Sequence, residues 1–327
     1  MNNRTTKIDS QEVLLPIYGI LVATKDRPQQ LSKFLESVSN LSLLPLEVVI
    51  VSSGIDVTEI IEKYSDKFNL KHVHSLRSGQ IVQKKLGLKY FSENLNWIAF
   101  FDDDIILLPE SIENVFADVS KLSEKNIIAG IGMACAPSNA PDQNLLHKLM
   151  KKLFLSSNKN LGQVNKSGYN ASYMESHEVI ETQWLNGASI WKAELAKKYN
   201  VPFEKIRHAI GEDLFFSFQN LKYGKLFFSP SSKFIFQKYP DDHFQLTSFV
   251  LHTYIQLFFV STNKELSVLA FYWRFLGSTI NAMIKSDSRS LKFLTDVFTI
   301  SKLFLDVTLL VFTKKDATYI LNFRINK

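Results

Sequence analysis

The segment that decides the fold is Trp97-Ile98-Ala99-Phe100-Phe101-Asp102-Asp103-Asp104. An apolar run without alternation of polar and apolar positions is typical of a strand that is buried on both faces of a sheet. The run ends in three adjacent carboxylates, which repel one another unless a cation compensates them. We therefore predict a buried parallel strand whose carboxyl end carries a charged functional site.

Similar strands precede this one, and a helical pattern separates each from the next. The predicted order is strand 17–23, helix 28–41, strand 46–51, helix 58–68, strand 71–74, helix 81–90 and strand 97–101. This alternation predicts the α/β class, with a mostly parallel sheet flanked by helices. Ligands of such sheets bind beyond the carboxyl ends of the strands, so segments 23–27, 52–54, 75–79 and 102–104 are expected to meet at one crevice.

The pattern continues less regularly after the acidic triplet. We predict a helix over 109–124, a strand over 127–134, an irregular polar stretch over 137–183 and a strand over 184–191. A helix beginning near Leu214 and two short strands, 225–229 and 233–237, complete this body. The remaining residues, 241–327, are predicted to be helical, and residues 1–14 to be disordered or extended.

Composition limits the kind of partner. The chain has 327 residues, 46% of them hydrophobic, a single cysteine and a net charge of +6, which excludes disordered and disulfide-rich classes. From Val250 onward ten basic side chains face five acidic ones, so this region alone contributes +5. A basic region rich in Phe and Leu fits an anionic membrane surface, and we expect no nucleic-acid partner. With neither a leader nor an apolar run of about 20 residues, we expect a cytoplasmic protein, peripheral on the inner face of the membrane.

Two acidic motifs are the candidates for chemistry. Asp102 and Asp104 could hold Mg²⁺ or Mn²⁺, since hard cations take carboxylate oxygens together with substrate phosphates. The alternative is a solvated acidic turn that caps the following helix. Gly211-Glu212-Asp213 precedes an apolar helix, where a carboxylate serves either as a cap or as a general base.

Together these segments resemble glycosyltransferase family 2, whose catalytic domain has the GT-A fold. The resemblance rests on motifs in the family's order over residues 17–237, and it implies a GT-A catalytic domain over 15–240. The motifs are segments 20–28, 47–54 and 78–87, the acidic triplet as a DxD motif, Gly187-Ala188-Ser189-Ile190-Trp191, and Gly211-Glu212-Asp213 as an ED motif.

The resemblance implies an inverting, metal-dependent transfer of a sugar from a nucleotide-diphosphate donor, a UDP-sugar above all, to a glycan or lipid-linked acceptor, in bacterial surface polysaccharide synthesis. Asp213 would be the catalytic base and Glu212 would orient it. Asp102, Asp104 and His243 would bind Mg²⁺ or Mn²⁺. The donor-binding set would be Thr24, Asp26, Arg27, Ser52, Ser53, Arg77, Lys84 and Asp103.

The sequence departs from the family at two places. A serine, Ser52 or Ser53, stands where an acidic residue commonly follows the second strand, which leaves the nucleotide base open. Lys84-Lys85 replaces the usual Arg-Asn, which keeps the charge without the planar fork of a guanidinium. A sugar-nucleotide pyrophosphorylase and a catalytically degenerate scaffold therefore remain as alternatives. The sequence leaves the oligomeric state open.

Overall fold

The computed structural model describes residues 5–8, 11–14, 16–136, 145–206, 210–237, 245–285 and 292–325. The strands are β1 (Thr5–Ile8), β2 (Gln11–Leu14), β3 (Tyr18–Lys25), β4 (Glu47–Ser53), β5 (Asn69–His74), β6 (Trp97–Asp102), β7 (Ile105–Leu107), β8 (Ile128–Cys135), β9 (Ile180–Thr182), β10 (Ser189–Lys192) and β11 (Lys225–Phe236). The α-helices are α1 (Pro28–Ser39), α2 (Thr58–Tyr64), α3 (Gln80–Gly87), α4 (Ser111–Ser123), α5 (Leu145–Leu153), α6 (Ala193–Ala196), α7 (Glu212–Asn220), α8 (Leu246–Thr262), α9 (Val268–Lys285), α10 (Lys292–Phe312) and α11 (Ala317–Ile320).

The main sheet carries its strands in the order β5-β4-β3-β6-β10-β8-β11-β7. The strands β5, β4, β3 and β6 are parallel, as the alternation of strands and helices predicts. The strand β10 runs antiparallel to both β6 and β8, whereas β8 and β11 are parallel and β7 is antiparallel to β11. The sheet is therefore mixed, and the predicted α/β class with flanking helices is confirmed.

The carboxyl ends of the parallel strands lie level with one another. In the register of the sheet Ala23 pairs with Asp102, and Thr24 pairs with Ser52. Ser52 in turn pairs with His74 on β5. The apolar residues that precede these positions on β3, β4 and β6 are buried, so the polar side chains emerge at one edge of the sheet.

The chain divides into two compact units that interleave along the sequence. The first unit comprises residues 1–137, 185–200 and 220–238, and the second comprises 138–184, 201–219 and 239–327. The core of the first unit forms between the sheet and helices such as α1. The apolar residues of α1 recur at helical spacing and are fully buried, and each contributes about 1.5–3 kcal/mol by leaving water: Leu31, Phe34, Leu35 and Val38.

The second unit is built largely from aromatic rings on helices. Phe215 stacks on Phe258 with 5.8 Å between the ring centroids, and Phe275 stacks on both Phe271 and Phe304 at 6.2 and 6.1 Å. The predicted C-terminal helices are present, and part of the phenylalanine content of this region forms the core that holds α8, α9 and α10 together. Within the described residues, no helix has both the length and the apolar character needed to cross a bilayer.

Some details of the sheet differ from the sequence-based prediction. The two short strands expected over 225–237 form one strand, β11, with a shift of register between Ser229 and Lys233 around Pro230. The strand expected over 184–191 is confined to β10, Ser189–Lys192, and the stretch 137–183 contains the helix α5 and the strand β9. The predicted domain boundary at 240 lies outside the described residues.

Candidate active site

The acidic triplet lies in a tight turn between two strands. Asp102 is the last residue of β6 and Ile105 the first of β7, so Asp103 and Asp104 form the turn. The turn leads into a strand, so Asp104 does not cap a following helix. The amide of Gln237 donates to the carbonyl oxygen of Asp103 at 3.1 Å, and the backbone N–H of Gln237 donates to that of Asp104 at 2.8 Å. The side chain of one glutamine thereby fixes the backbone that presents the carboxylates.

Asp103 is buried, and each of its carboxylate oxygens accepts a hydrogen bond from a residue at or just after the end of β3. It is 4% exposed; Thr24 Oγ1 donates to its Oδ2 at 2.6 Å, and Arg27 Nη1 donates to its Oδ1 at 3.0 Å. Burial raises the pKa of Asp103, and although both hydrogen bonds act in the opposite direction, the pKa stays above its ordinary value. Asp103 therefore binds the turn to the end of β3, in contact with two other residues of the predicted donor set.

The two carboxylates on either side of Asp103 are less buried. Asp104 accepts a hydrogen bond from Arg27 Nη1 at 3.1 Å, and its side chain is 33% exposed. Burial alone would lower the pKa of Arg27, but the charges and hydrogen bonds of Asp103 and Asp104 outweigh it and raise the pKa. Arg27 therefore remains a cation at any pH at which the protein is folded, and it holds two of the three carboxylates.

Asp102 points toward a glycine on the neighbouring strand segment. Gln80 Nε2 donates to Asp102 Oδ1 at 2.5 Å, and a Cβ atom added to Gly187 would lie 2.7 Å from Asp102 Oδ2. Such a distance is shorter than any normal contact, so the residue at position 187 must be small for the carboxylate to keep its place. The motif 187–191 that the resemblance singled out thus adjoins the acidic turn.

Asp102 and Asp104 fit the protein's share of a magnesium or manganese site. Within the described residues, no group of three or more His, Cys, Asp or Glu side chains is arranged to hold a metal ion, and His243 lies outside those residues. Magnesium is often held by one or two carboxylates together with substrate phosphates and water, a share that these two partly exposed side chains can supply. Asp103, whose oxygens accept hydrogen bonds from Thr24 and Arg27, positions the turn and is not assigned as a metal ligand.

The ends of β3 and β4 are joined by Asp26. Its backbone has a positive φ of 54°, its Oδ1 accepts the N–H of Ile55 at 3.0 Å, and a Cβ on Gly54 would lie only 1.9 Å from that oxygen. Glycine is required at position 54, since its φ of +80° and this close approach exclude other side chains. Asp26 therefore orders the loop after β4.

Ser52 and Ser53, the last two residues of β4, are buried at the same edge of the sheet. Ser52 Oγ lies 2.8 Å from His72 Nε2 and 3.3 Å from His74 Nδ1, so the serine and the two histidines form one polar cluster. Ser53 Oγ is buried and has no hydrogen-bond partner among the described residues. A buried hydroxyl without a partner is rare in proteins and is a natural contact for a ligand.

The remaining basic residues of the predicted donor set differ in exposure. Arg77 is exposed, and its carbonyl oxygen accepts a hydrogen bond from Ser75 Oγ at 2.7 Å. Lys84 on α3 is buried, with its ammonium 5.6 Å from the ring centroid of Phe100. The structure thus brings Thr24, Arg27 and the acidic turn into contact.

Sequence reasoning did not single out the amides that hold this edge together. Gln83 is buried and donates from Nε2 to the carbonyl oxygens of Thr24 and Val51, both at 2.8 Å, and it accepts the N–H of Gly79. It therefore fixes the ends of β3 and β4 to the start of α3. A polar residue one turn beyond the Ser78-Gly79 break is the only signal the sequence offers for it.

The second acidic motif lies in the second unit at the start of α7. Gly211 has a φ of +73°, and its carbonyl oxygen accepts the N–H of Phe215 at 3.1 Å, which begins the helix. Glu212 is buried and Asp213 is partly exposed. A Cβ on Gly211 would lie 3.3 Å from Ile255 Cγ2 of α8. The positive φ and this proximity favour glycine before the two acids.

Comparison with known proteins adds the family. Residues 19–178 match the model of the family described as Glycosyl transferase family 2. The crystal structure of S. aureus TarS 1–349 has a TM-score of 0.56 at 14% identity, and the match covers 95% of this chain and 88% of that one. The same fragment in complex with UDP-GlcNAc has a TM-score of 0.55 at 14% identity, with the same coverage.

A further solved structure, GalNAc-T7 with UDP, GalNAc and Mn²⁺, has a TM-score of 0.55 at 13% identity, and the match covers 95% of this chain but 58% of that one. No curated protein matches this chain in sequence. Identities of 13–14% establish a shared fold and nothing finer. The family model, in contrast, is matched by the amino-acid sequence of residues 19–178. Residues 19–178 therefore match glycosyl transferase family 2 in sequence, and the chain shares the GT-A-type fold of these solved structures.

Proposed function

We propose that this protein is an inverting glycosyltransferase that moves a sugar from a nucleotide-diphosphate donor to a hydroxyl group of a glycan or lipid-linked acceptor. The observation that carries the proposal is the acidic turn, where Thr24 and Arg27 lock Asp103 and so hold the backbone that presents Asp102 and Asp104. The match of residues 19–178 to the family supplies the reaction class. Bacterial surface polysaccharide synthesis is the setting we propose.

The donor half of the reaction falls to the first unit. Asp102 and Asp104 would hold Mg²⁺ or Mn²⁺, which when bound neutralises charge that builds on the diphosphate leaving group. A UDP-sugar is the favoured donor, since solved structures of similar fold contain UDP-GlcNAc, or UDP with Mn²⁺. The unpartnered hydroxyl of Ser53 is assigned to the base or ribose of the nucleotide, in place of the family's usual acid.

The acceptor half falls to Asp213. As general base it takes the proton from the acceptor hydroxyl, whose oxygen then attacks the anomeric carbon from the face opposite the leaving group. Glu212, buried beside it at the start of α7, is assigned to orienting the base or the acceptor. One displacement of this kind inverts the configuration and needs no covalent nucleophile on the protein.

A thermal-shift titration with UDP, GDP, CDP and ADP in the presence of Mn²⁺ tests the donor half, because a ligand that binds only the native state raises the unfolding midpoint. We expect UDP to give the largest shift, and Asp104→Ala to lose its Mn²⁺-dependent part while keeping the midpoint without ligand. Asp66→Ala, an exposed acid of the same unit, is the matched control. A wild-type protein that responds to no nucleotide would instead support the degenerate scaffold.

Turnover separates the transferase from the pyrophosphorylase. With UDP-sugar and an acceptor glycan, the wild-type protein should release UDP and form a new glycoside. Asp213→Asn should keep the UDP-dependent shift and lose transfer by at least about a hundredfold, as removal of a general base does. Release of pyrophosphate from a nucleoside triphosphate and a sugar phosphate would identify the pyrophosphorylase, and loss of UDP binding in Asp213→Asn would make Asp213 structural.

Association with an anionic membrane forms part of the proposal, and α10 is the element that supports it. The inner face of this helix is buried, while five large apolar side chains on the outer face are each 62–73% exposed. At 100° per residue these five lie within about 60° of one another, in a single stripe along the helix. They are Leu294, Phe298, Leu305, Leu309 and Phe312.

Exposed lysines outnumber exposed acids around this stripe, where Asp316 is the exposed acid next to Lys315. Of the charged side chains of α10 that the structure describes, Lys302 is exposed. Lys314 and Lys315, just after the end of the helix, are exposed as well. Asp306 is occupied by Arg324, which donates to it at 2.6 and 2.7 Å. An apolar stripe edged by lysines is typical of a helix that lies in the surface of an anionic bilayer, so lipid is the occupant we propose.

Co-sedimentation with phosphatidylcholine vesicles containing about 30% phosphatidylglycerol tests this surface at low salt. We expect the double variant F298S/L305S to bind at least about tenfold more weakly, because each buried apolar side chain contributes about 1.5–3 kcal/mol. The control L76S/I127S removes two side chains of the first unit that are 97% and 77% exposed. Equal binding by both variants contradicts the proposal, as does a dimer that F298S/L305S converts to monomer without affecting lipid binding.

A further inference from the structure

The second unit contains a buried cation that none of its described acids neutralises. Arg274 of α9 stands within the aromatic stretch 271–275 and is 8% exposed. Its Nη2 donates to Gln256 Oε1, its guanidinium carbon lies 5.5 Å from the ring centroid of Phe271, and its Nε is buried without a hydrogen-bond partner. Among the residues that the structure describes, no carboxylate pairs with it.

Such an arrangement is costly unless something compensates the charge. Arginine is almost never fully buried unless it is paired, and a buried unpaired ion costs several kcal/mol, on the order of the whole stability of a small domain. Burial lowers the pKa of Arg274 to about 10, so the guanidinium still carries its charge at neutral pH. One amide oxygen and one ring face leave most of the hydrogen-bonding capacity of this group unused.

Tyr169, which interacts electrostatically with Arg274, has an unused donor of its own. The hydroxyl of Tyr169 makes no hydrogen bond with any described residue, although Tyr169 and Arg274 interact electrostatically. Burial raises the pKa of Tyr169 despite the nearby guanidinium, so the hydroxyl keeps its proton. Glu175 also acts on Tyr169, but it is exposed and makes no ion pair with Arg274.

The loop that carries Tyr169 is held firmly in place. Asn165 Oδ1 accepts hydrogen bonds from the backbone N–H groups of Ser167 at 2.9 Å and Tyr169 at 3.3 Å. Gly168 has a φ of +76°, and a Cβ there would lie 2.6 Å from Val260 Cγ2 of α8. The tyrosine is therefore presented by a loop packed against the helix that also carries the partner of Arg274, Gln256.

The same part of the unit holds the proposed catalytic base. Gln256 directly follows Ile255, the residue of α8 that approaches Gly211, and Gly211 precedes Glu212 and Asp213 in the chain. The arginine and the acidic motif are thus connected through adjacent residues of one helix. An anionic group held by Arg274 would belong to the molecule that presents its hydroxyl to Asp213.

We propose that Arg274 and Tyr169 bind a phosphate group of the acceptor. The unused Nε–H of the guanidinium and the Tyr169 hydroxyl are hydrogen-bond donors, and a phosphate has enough oxygen atoms to accept from several donors at once. This assignment to the acceptor rests on the proposed function, whereas anion binding by the pair does not. The acceptor class it names is a phosphate-bearing glycan or lipid carrier.

Binding of inorganic phosphate to the full-length protein, followed by thermal shift with EDTA present and no nucleotide, tests the pair directly. We expect phosphate to raise the unfolding midpoint, Arg274→Met to weaken its affinity at least about thirtyfold, and Tyr169→Phe to weaken it about tenfold, in line with hydrogen bonds to charged groups. Lys264→Met removes an exposed positive charge from the same unit and is the matched control. Arg274→Lys should recover only part of the affinity, because it restores charge without the guanidinium fork.

An unchanged phosphate response in both Arg274→Met and Tyr169→Phe overturns the proposal, and so does a response to acetate that phosphate does not produce. If Arg274→Met does not fold, the phosphate affinity of Tyr169→Phe decides, because that variant loses only one hydroxyl and is expected to fold. With a phosphate-bearing acceptor, Arg274→Lys should raise KM while leaving kcat within about threefold, as expected for a binding interaction. Phosphate binding without any UDP response would retain the anion site and reject the transferase.

Discussion

Asp103 and Arg274 are both buried charged residues, one in each unit, and their surroundings are opposite. Asp103 receives hydrogen bonds from Thr24 and Arg27, so both of its carboxylate oxygens have partners within the protein. Arg274 has one amide oxygen and one aromatic ring as partners, and its Nε has none. The first residue has the environment of a structural ion, and the second has that of a binding site whose ligand supplies the missing charge.

The difference explains why the two residues should respond differently to substitution. A compensated buried ion stabilises the fold through its partners, which lose their hydrogen bonds when it is removed. An uncompensated one destabilises the fold, and a protein tolerates it where function requires it. If substitution of Asp103 lowers the free energy of unfolding and replacement of Arg274 by an apolar residue raises it, this measurement alone distinguishes the structural residue from the ligand-binding one.

Asp103→Ala should have the larger effect on stability. It leaves the buried hydroxyl of Thr24 without a partner, which costs about 1–3 kcal/mol, while Arg27 keeps its bond to Asp104. Chemical denaturation followed by circular dichroism measures this loss. An unfolding free energy equal to that of the wild type would show that Asp103 is not needed to hold the turn.

The counterpart is the double variant R274M/Q256L, which removes the buried cation together with the amide that it bonds. We expect the free energy of unfolding to stay level or to rise by about 1–2 kcal/mol, as when buried ionic groups are replaced by apolar ones of similar volume. The single variant Gln256→Leu is the control, because it leaves the cation with still fewer partners and should destabilise. A double variant less stable than Gln256→Leu would show that Arg274 is structural.

The dependence of stability on pH extends the comparison to a third buried charge, Glu47. Burial acts to raise the pKa of Glu47, but hydrogen bonds from Lys71 and Ser92 prevail and lower it, whereas the pKa of Asp103 is raised. The stabilisation linked to Glu47 is present above pH 4.5 and is lost as the pH falls through its folded pKa. That linked to Asp103 is present below pH 3.8 and is lost as the pH rises through its folded pKa.

Unfolding midpoints of Asp103→Asn and Glu47→Gln, each compared with the wild type between about pH 3 and pH 7, should therefore change in opposite directions. The midpoint of the variant minus that of the wild type should become more positive with rising pH for Asp103→Asn and more negative for Glu47→Gln. We expect effects on the order of 1 kcal/mol, the value of a one-unit change in pKa. Parallel curves would show that neither carboxylate has the surroundings described above.

Three strands of the parallel half of the sheet could be predicted because they are buried on both faces. Uninterrupted apolar runs such as 97–101 are typical of such strands, and they locate β3, β4 and β6 within two residues of their ends. The half-buried β5 has no such run and could be placed only through the alternation of strands and helices. The strand β7 was missed because three residues directly after a charged turn carry no periodicity. The strand β11 was divided in two because Pro230 and the serines around it are typical of a turn, whereas the sheet absorbs them as a shift of register.

The candidate site divides in the same way. Thr24, Arg27 and the acidic turn could be placed at one edge because strand ends in a parallel sheet converge there. Gln83 and Gln237 could not, because their role is to bond carbonyl oxygens that only the folded backbone brings together. The sequence does offer a signal for Arg274, since an arginine within Phe271-Tyr272-Trp273-Arg274-Phe275 is a charged residue among large aromatic side chains that favour burial.

The smallest expected effect on folding concerns Gly187, and it tests whether Asp102 belongs to the functional part of the compensated region. In Gly187→Ala the new methyl group would meet Asp102 Oδ2 at 2.7 Å, and a carboxylate can rotate away, so the free energy of unfolding should change by less than about 1 kcal/mol. The Mn²⁺-dependent part of the UDP thermal shift should nevertheless fall, because the displaced oxygen is a proposed metal ligand. Gly130→Ala, whose methyl group would meet the ring of Trp191 at 2.8 Å, should show the reverse, a loss of about 1–3 kcal/mol with the metal-dependent shift retained. If both variants lower stability and leave that shift unchanged, Asp102 serves the fold in the same way as Asp103, and the metal site must be built from Asp104 without it.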